Sequence, residues 1–331
     1  MKKYGVEILM GLILALTLNL VLHERPSVQA PEPVIAASAA EAVFDEAYML
    51  TLCREDGTER CTLQEYLIDV LLSEVPMSFD EEALKAQAIA SRTFTLHCRK
   101  HDGADVCTDS GCCQAWGDTQ TLQERFGEKY DEYYEKARQA VEATDGTVLT
   151  YGGELIDATF FACSGGTTEA AEAVWGNDVP YLQSVDSPGE EIADCFESQC
   201  DISPEEFAEA LPEADFSGDP DTWLGETIRT QGDGVDTMTI GGIAYKGTEL
   251  RRRFGLRSAK FTLSYENGTF CFHVLGYGHR VGMSQWGAEA MAQNGAKAEE
   301  ILAAYYTDTA CKTLCASQAI YLHHPYRAAH S

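Results

Sequence analysis

The first strong pattern of apolar and polar positions predicts two consecutive helices. Apolar residues recur at helical spacing over 62–74, and the pattern stops at Pro76. Because spacings of three and four residues place side chains on one helix face, this segment predicts an amphipathic helix. Ser78 and Glu81 have the spacing of a capping box, so a second helix is predicted over 78–97.

The rest of the chain combines further helices with short strands. Helical patterns recur over 124–143, after Ser284 and over 299–306, whereas a hairpin is predicted over 147–163 and antiparallel strands over 222–273. The sequence shows no internal repeat and no regular alternation of strand and helix. We therefore expect one α+β unit, with mixed helices and antiparallel strands, rather than a doubly wound sheet.

The N-terminus has the pattern of an export signal. Lys2 and Lys3 precede an apolar run over 8–22, whose length lies between a signal-peptide core and a full span of roughly 20 residues. Residues 28–30 (VQA) would serve as a cleavage site, so an anchor and a cleaved signal both stay open. Either interpretation places the following chain outside the cytoplasm, because the basic flank stays inside.

This N-terminal pattern divides the chain into three segments. Residues 1–23 are the membrane anchor or signal segment, and residues 24–45, rich in proline and alanine, are a linker that holds the domain away from the bilayer. Residues 46–331 form the exported domain.

Composition and charge narrow the choice of partners. The chain has 331 residues, 45% of them hydrophobic, which is ample for a packed core. It has 24 lysines and arginines against 53 aspartates and glutamates, for a formal net charge of −29. Because nucleic-acid binding depends on basic residues that neutralise phosphates, we expect no nucleic-acid partner. Neutral polymers such as glycans remain compatible with this charge.

The cysteines also favour an exported protein. Twelve is a high number for a cytosolic enzyme. Three pairs are close enough in sequence to close small loops, namely Cys53 with Cys61, Cys195 with Cys200, and Cys311 with Cys315. A further cluster mixes histidine with thiols, donors that Zn²⁺ favours, and consists of Cys98, His101, Cys107, Cys112 and Cys113. No CxxC pair is present, so spacing alone leaves disulfides and zinc both open.

Candidate chemistry lies in four segments outside the helical patterns. They combine glycine, hydroxyl and ionisable residues at 73–76, 163–167, 174–176 and 276–285. Glycine lets a ligand approach the backbone closely, and binding groups commonly lie on loops held by a rigid scaffold. These segments therefore predict one shared cleft.

Six motifs follow one another in a fixed order between about residues 60 and 310. They are 72–76 (LSEVP), 82–93 (EALKAQAIASRT), 163–166 (CSGG), 175–176 (WG), 180–182 (PYL) and 278–288 (GHRVGMSQWGA). Together they resemble the stage II sporulation protein D family of lytic transglycosylases. The resemblance implies a domain, here 46–331, that is anchored by one N-terminal segment and acts on peptidoglycan between the two membranes of an engulfed forespore.

The resemblance assigns the catalytic acid/base to the glutamate of the Glu-x-Pro element, Glu74. Cleavage of a β-1,4 glycosidic bond needs an acid that protonates the leaving oxygen, and apolar neighbours could keep Glu74 protonated. A lytic transglycosylase needs no second carboxylate, since the C6 hydroxyl of N-acetylmuramic acid attacks its own anomeric carbon and leaves a 1,6-anhydro end. A hydrolase that pairs Glu74 with Asp80, Glu81 or Glu82 stays open.

Further positions match the family and imply substrate binding, namely Lys85, Arg92, Ser164, Thr167, His279 and Gln285. Lys85 and Arg92 lie seven residues apart on one helix face, where Arg92 would face the catalytic carboxylate. A solvated face, an ordinary turn or a core position is the alternative for these residues. Arg280 stands where the family usually carries glycine, which puts a tight turn there in doubt.

The resemblance also bears on the metal. Some family members bind zinc through the interval His-x₅-Cys-x₅-Cys, which His101, Cys107 and Cys113 reproduce. Such a zinc would be structural and would tie a loop to the core, with a fourth ligand left unidentified. Cys112 is adjacent and could displace Cys113.

Two function classes therefore compete. The first is a membrane-anchored lytic transglycosylase that cleaves denuded glycan strands during engulfment, with a peptidoglycan amidase and other engulfment proteins as partners. It would lie on the mother-cell membrane facing the forespore. The second is a non-catalytic glycan-binding module that activates an amidase, since domains of this type also occur as amidase enhancers. The glutamate at position 74 favours the enzyme.

Overall fold

The computed structural model describes residues 43–98 and 100–322. The predicted membrane segment, 1–23, and most of the predicted linker lie outside the described residues. Among the residues that are described, no helix is long and apolar enough to cross a membrane.

Helices occur along the whole described part of the chain. They are α1 (Phe44–Ala47), α2 (Leu63–Glu74), α3 (Glu81–His97), α4 (Thr119–Phe126), α5 (Tyr130–Ala143), α6 (Ala171–Trp175), α7 (Pro204–Ala210), α8 (Gly247–Arg253), α9 (Gln285–Gln293), α10 (Ala298–Tyr305) and α11 (Ala316–Leu322). Short 3₁₀ turns lie at Gly127–Lys129, Glu190–Ile192 and Pro220–Thr222.

Short strands connect these helices in small sheets. They are β1 (Met49–Arg54), β2 (Gly57–Thr62), β3 (Val106–Cys107), β4 (Thr147–Tyr151), β5 (Glu154–Leu155), β6 (Phe160–Phe161), β7 (Glu197–Ile202), β8 (Leu224–Arg229), β9 (Val235–Ile240), β10 (Ile243–Lys246), β11 (Phe261–Glu266), β12 (Thr269–Leu275), β13 (Met283–Ser284) and β14 (Ala310–Thr313). The sheet orders are β2-β1-β3, β10-β9-β8, β11-β12-β7, β13-β6 and β14-β4-β5. Pairing is antiparallel except for β1 with β3 and β6 with β13, which confirms the α+β prediction.

Two hydrophobic cores support this architecture. The larger core surrounds α2 and α3, and α5, α9 and α10 pack against them. The smaller core is rich in aromatic residues and lies between α7 and strands β8 to β12, where the rings of Phe207 and Phe270 stack with centroids 4.0 Å apart. The site described below uses residues of the larger core and its loops.

The predicted helix over 78–97 begins later than expected. Its N-cap is Asp80, whose side chain accepts a hydrogen bond from the Glu82 N–H at 2.9 Å. Residues 76–79 instead form a turn, in which the Phe79 N–H donates to the Pro76 carbonyl. Ser78 therefore lies in this turn and does not cap α3.

Two other segments divide differently from the prediction. The helix predicted over 124–143 is broken by Gly127, which adopts a φ of +55° between α4 and α5. In the region predicted as a hairpin, only Glu154 and Leu155 form strand β5, which pairs with β4. Farther along, Phe160 and Phe161 form β6, which pairs with β13 instead. The antiparallel strands predicted over 222–273 are confirmed, with α8 between β10 and β11, and so are the helices predicted after Ser284.

Candidate active site

Glu74 lies at the last position of α2, as predicted. The helix ends there because Val75 is extended, with a φ of −128°, and Pro76 follows. The Glu74 carboxylate accepts a hydrogen bond from the Ala115 N–H at 2.6 Å and another from Gln285 Nε2 at 3.4 Å. Burial raises the pKa of Glu74 above its usual value, and these two bonds only partly oppose that shift.

A cleft of about 780 Å³ opens over this carboxyl group. Its lining brings together Glu74, Gln285 and His279 from distant parts of the sequence, with further residues from the loop before α4, from β6 and from the segment before β13. The size falls within the range of small-molecule and cofactor sites. Three of the predicted site residues therefore share one cleft.

His279 forms part of the cleft wall as a neutral imidazole. Burial lowers its pKa to about 4, and the Arg251 guanidinium adds to the shift. Its Nδ1 accepts a hydrogen bond from the Val281 N–H at 3.1 Å. The ring lies with its centroid 5.3 Å from that of Trp175, so an aromatic surface continues from the histidine along the cleft.

The structure adds cleft residues to which the sequence assigned no role. Trp175 and Tyr277 line the cleft with 43% and 47% of their surface exposed, although large aromatic side chains are usually buried. Asp157 also lines the cleft, and it is a second carboxylate in that lining. Both aromatics lie in segments that the glycine pattern had singled out, whereas no sequence signal marked Asp157.

The three carboxylates predicted as partners for Glu74 in a hydrolase have other roles. Asp80 caps α3, Glu81 forms an ion pair with Lys85, and Glu82 accepts a hydrogen bond from the Ala298 N–H. None of the three lines the cleft. Besides Glu74, Asp157 is the carboxylate that the cleft lining offers to a hydrolytic mechanism.

Arg92 requires a correction. It is fully buried, and its Nε donates to both carboxylate oxygens of Asp45 at 2.9 and 3.0 Å. Its remaining N–H groups donate to the carbonyls of Val141 and Thr147 and contact the hydroxyl of Thr144. The prediction that Arg92 faces Glu74 or holds a sugar is wrong, because the larger core encloses the guanidinium and uses its donors.

Three other predicted substrate-binding residues lie away from the cleft. Lys85 forms ion pairs with Glu81 at 2.6 Å and Glu82 at 3.2 Å. Ser164 is fully buried, and its hydroxyl donates to the Glu190 carboxylate. Thr167 is half-buried, and its carbonyl accepts a hydrogen bond from Arg280. Ser164 is thus wrong as a sugar ligand, and the cleft lining includes neither Lys85 nor Thr167.

Arg280 keeps the backbone conformation expected of glycine. Its φ is +68°, which L-residues rarely adopt. The side chain is buried, and its Nη1 lies 3.0 Å from Glu169 Oε1. Its other N–H groups donate to the carbonyls of Ser164, Thr167 and Gly232. The turn persists because this buried network offsets the strain.

The predicted zinc ligands converge at the edge of the same cleft. Donor atoms of His101, Cys107, Cys112 and Cys113 all lie within 4.8 Å of one another. His101 Nε2 is 3.1 Å from the Cys113 sulfur and 3.7 Å from the Cys112 sulfur. One imidazole and three thiols match the donor set of a structural zinc site, and Cys112 occupies the place of the fourth ligand that the sequence left open.

The structure does not bring together two of the predicted cysteine pairs, Cys53 with Cys61 and Cys195 with Cys200. In the β1–β2 hairpin, Cys53 lies opposite Thr58 and Cys61 lies opposite Leu50. The two cysteines are offset by three positions, or roughly 10 Å, which exceeds the reach of a disulfide. Cys195 contacts Cys163 and not Cys200.

Known proteins resemble this chain over most of its length. A sequence profile described as "Stage II sporulation protein" matches residues 54–151. Stage II sporulation protein D of Bacillus amyloliquefaciens is 38% identical over 256 residues, which cover 76% of this chain and 74% of the relative. Its namesake in Bacillus subtilis (strain 168) is 33% identical over 330 residues, covering 93% and 95%. An amidase enhancer of the same organism is 28% identical over 293 residues, covering 72% and 39%.

Proposed function

Because this chain belongs to the stage II sporulation protein D family, we propose that it is a peptidoglycan lytic transglycosylase of sporulation. It cleaves the β-1,4 bond between N-acetylmuramic acid and N-acetylglucosamine in denuded strands and leaves 1,6-anhydro ends. The observation that carries this proposal is a partly buried carboxyl, Glu74, whose pKa is raised at the wall of a large cleft. A raised pKa increases the protonated fraction of such a group, which suits it to act as a general acid.

The reaction needs one carboxyl in two roles. Protonated Glu74 gives its proton to the glycosidic oxygen, and the resulting carboxylate takes the proton of the C6 hydroxyl as that oxygen attacks the anomeric carbon. The Ala115 N–H and Gln285 Nε2 orient the carboxylate and stabilise its charge after the first transfer. Neutral His279 adds no positive charge that would force Glu74 to ionise early.

The exposed aromatic residues suit a glycan. Trp175 and Tyr277 present apolar faces beside polar cleft groups, as do sites that bind amphipathic ligands. Sugar rings carry C–H faces that pack on such surfaces, so these two residues would hold the strand while Glu74 acts. The strongly acidic composition is compatible with this substrate, since denuded strands have lost their acidic peptides.

Zinc would be held by His101, Cys107, Cys113 and Cys112. When bound, it supplies structural cross-linking between the loop after α3 and the core. The donor set leaves no ligand position free for substrate, so the chemistry rests on Glu74.

The proposed location is outside the cytoplasm, anchored in the mother-cell membrane by residues 1–23. A peptidoglycan amidase that removes stem peptides would generate the denuded strands. Other engulfment proteins would be further partners. These partners fit the substrate that the cleft requires.

The decisive test is mass spectrometry of products from the purified full chain and peptide-free glycan strands. We expect 1,6-anhydro-muramyl ends, and Glu74→Gln should lower their formation by at least about 100-fold. Glu81→Gln is the matched control and should retain activity, because Glu81 lies outside the cleft. Reducing ends without anhydro sugar would assign hydrolysis instead, and loss of activity in Asp157→Asn would then identify the second carboxylate.

A second candidate function is amidase activation by a non-catalytic glycan-binding module. The observation that favours it is the similarity to an amidase enhancer over 72% of this chain. In this case purified chain would release no glycan fragments, but would raise the rate of an added amidase. Glu74→Gln would keep that stimulation, whereas Trp175→Ala would reduce it.

A further inference from the structure

A pair of cysteines that are not among the predicted zinc ligands lies next to the cleft-lining residues Ala162 and Tyr277. Cys163 is fully buried and follows β6, whereas Cys195 is half-buried and follows the 3₁₀ turn Glu190–Ile192. Their thiols lie close enough for each to shift the pKa of the other. The pair is separated by 31 intervening positions in the sequence, so only the fold brings the two sulfurs together.

The backbone around the pair is held from both sides. Cys163 and Tyr277 exchange two backbone hydrogen bonds, of 3.0 and 2.7 Å. The neighbouring Gly276 donates its N–H to the carbonyl of Phe196, the residue after Cys195. Gly276 has a φ of +81°, and a Cβ there would lie 2.6 Å from the Cys163 carbonyl. The segments that carry the two cysteines are therefore fixed close together.

A buried carboxylate adds to this arrangement. Glu190 Oε2 accepts hydrogen bonds from the backbone N–H groups of Ser164 and Gly165, at 2.7 and 2.9 Å, and lies 3.1 Å from the Cys163 sulfur. It ties the loop after Cys163 to the turn before Cys195. The contact between the cysteines thus rests on a network of polar bonds rather than on one side-chain rotamer.

The two thiols differ in reactivity. The hydrogen bond with Cys163 lowers the pKa of Cys195 to about 7, and the Arg257 charge adds to this effect. The same hydrogen bond and burial raise the pKa of Cys163. Cys195 is the more accessible and the more readily ionised of the two, which suits it to attack an external disulfide first.

We propose that Cys163 and Cys195 form a disulfide that closes the segment 163–195 beside the cleft. The oxidant is an external disulfide, either a small molecule or a thiol–disulfide oxidoreductase. The Cys195 thiolate attacks one of its sulfurs and releases one thiol. Cys163 then attacks the Cys195 sulfur of the mixed disulfide and releases the second thiol. Two protein thiols and one external disulfide thereby yield one protein disulfide and two external thiols.

This bond would stabilise the aromatic side of the cleft. The closed segment carries Trp175 and Glu190, and Cys163 is paired directly with Tyr277. A covalent link between its ends reduces the freedom of the unfolded chain. The proposal does not depend on which reaction the cleft performs.

Peptide mapping of the full chain in detergent tests the pairing. No lysine or arginine lies between residues 139 and 228, so trypsin would leave Cys163, Cys195 and Cys200 in one peptide. A glutamate-specific protease separates all three, since glutamates occur at 169, 191 and 197. The protein is equilibrated with oxidised glutathione, alkylated while unfolded, digested without reductant and examined by mass spectrometry.

We expect a linked pair of peptides, 155–169 with 192–197, that separates on reduction. Recovery of both cysteines in alkylated form would overturn the proposal, and so would a link between Cys195 and Cys200.

Thermal melting of variants provides the second measurement. The oxidised wild type should melt about 5–10 °C above the same protein treated with a phosphine reductant. Cys195→Ser should lose most of this difference, whereas the matched control Cys200→Ser should keep it. An unchanged difference in Cys195→Ser would show that another bond responds to the reductant, and would reject the pair.

Discussion

Substitution of Arg92 by alanine should unfold the protein more readily rather than impair the chemistry directly. The guanidinium is 0% exposed and forms an ion pair with Asp45, which is 1% exposed. Removal of Arg92 leaves the Asp45 carboxylate buried without its cation and also removes donors from the carbonyls of Val141 and Thr147. Burial already raises the pKa of Asp45 in spite of Arg92, so the carboxylate depends on this pairing.

The magnitude follows from the burial of both partners. Removing one member of a buried ion pair typically costs about 3–5 kcal/mol of unfolding free energy. In a domain of this size, each kcal/mol lowers the melting temperature by roughly 2–4 °C. Arg92→Ala should therefore melt about 6–20 °C below wild type. Arg92→Lys keeps the charge but loses the forked donors, so its loss should be smaller.

Chemical and thermal unfolding of the full chain, followed by circular dichroism, measures this effect. Arg60→Ala is the matched control, because Arg60 is exposed on β2 and its loss should change stability by less than about 0.5 kcal/mol. Glycan cleavage is measured well below the melting temperature of the variant. A melting temperature within 2 °C of wild type, roughly the effect of 1 kcal/mol, would refute the reasoning. So would a stable Arg92→Ala protein that has lost its activity, since Arg92 would then belong to the reaction.

Three further outcomes are expected. Glu74→Gln should melt above wild type at neutral pH and at the same temperature as wild type below pH 4.5. The pKa of Glu74 is raised in the folded state, so its contribution to stability is present below the usual pKa of 4.5 and is lost as pH rises through the folded pKa. A difference in melting temperature that stays constant across pH would contradict this. Arg280→Gly should lower the unfolding free energy by roughly 2 kcal/mol. It relieves about 1–2 kcal/mol of backbone strain, but the loss of the cation beside Glu169 costs more. In urea unfolding, adding Glu169→Gln to the same chain should recover part of this loss. Protein purified without added metal should hold one zinc per chain by elemental analysis, and a chelator should lower its melting temperature by at least about 5 °C; recovery of Cys107 and Cys113 in disulfide-linked peptides would argue against the site.

Local patterns in the sequence determined the elements around Glu74. Helical periodicity and Pro76 were sufficient to end α2 at Glu74, because both act within one or two turns of the chain. The interval of His101, Cys107 and Cys113 likewise indicated a donor cluster that forms within one short segment, 101–113. These features depend little on the rest of the fold.

Only the tertiary structure decided which side chains reach the cleft. Lys85 and Arg92 share a helix face, yet their surroundings differ. Lys85 pairs with Glu81 and Glu82 near the start of α3, whereas Arg92 is enclosed farther along, where α5 and β4 cover the helix. The partner of Arg92, Asp45, lies 47 positions away. Asp157, Trp175 and the contact of Cys163 with Cys195 likewise arise from segments that meet after long loops close. Periodicity states how side chains are arranged around one element, whereas burial depends on which elements pack against it, and that is fixed by contacts between residues far apart in the chain.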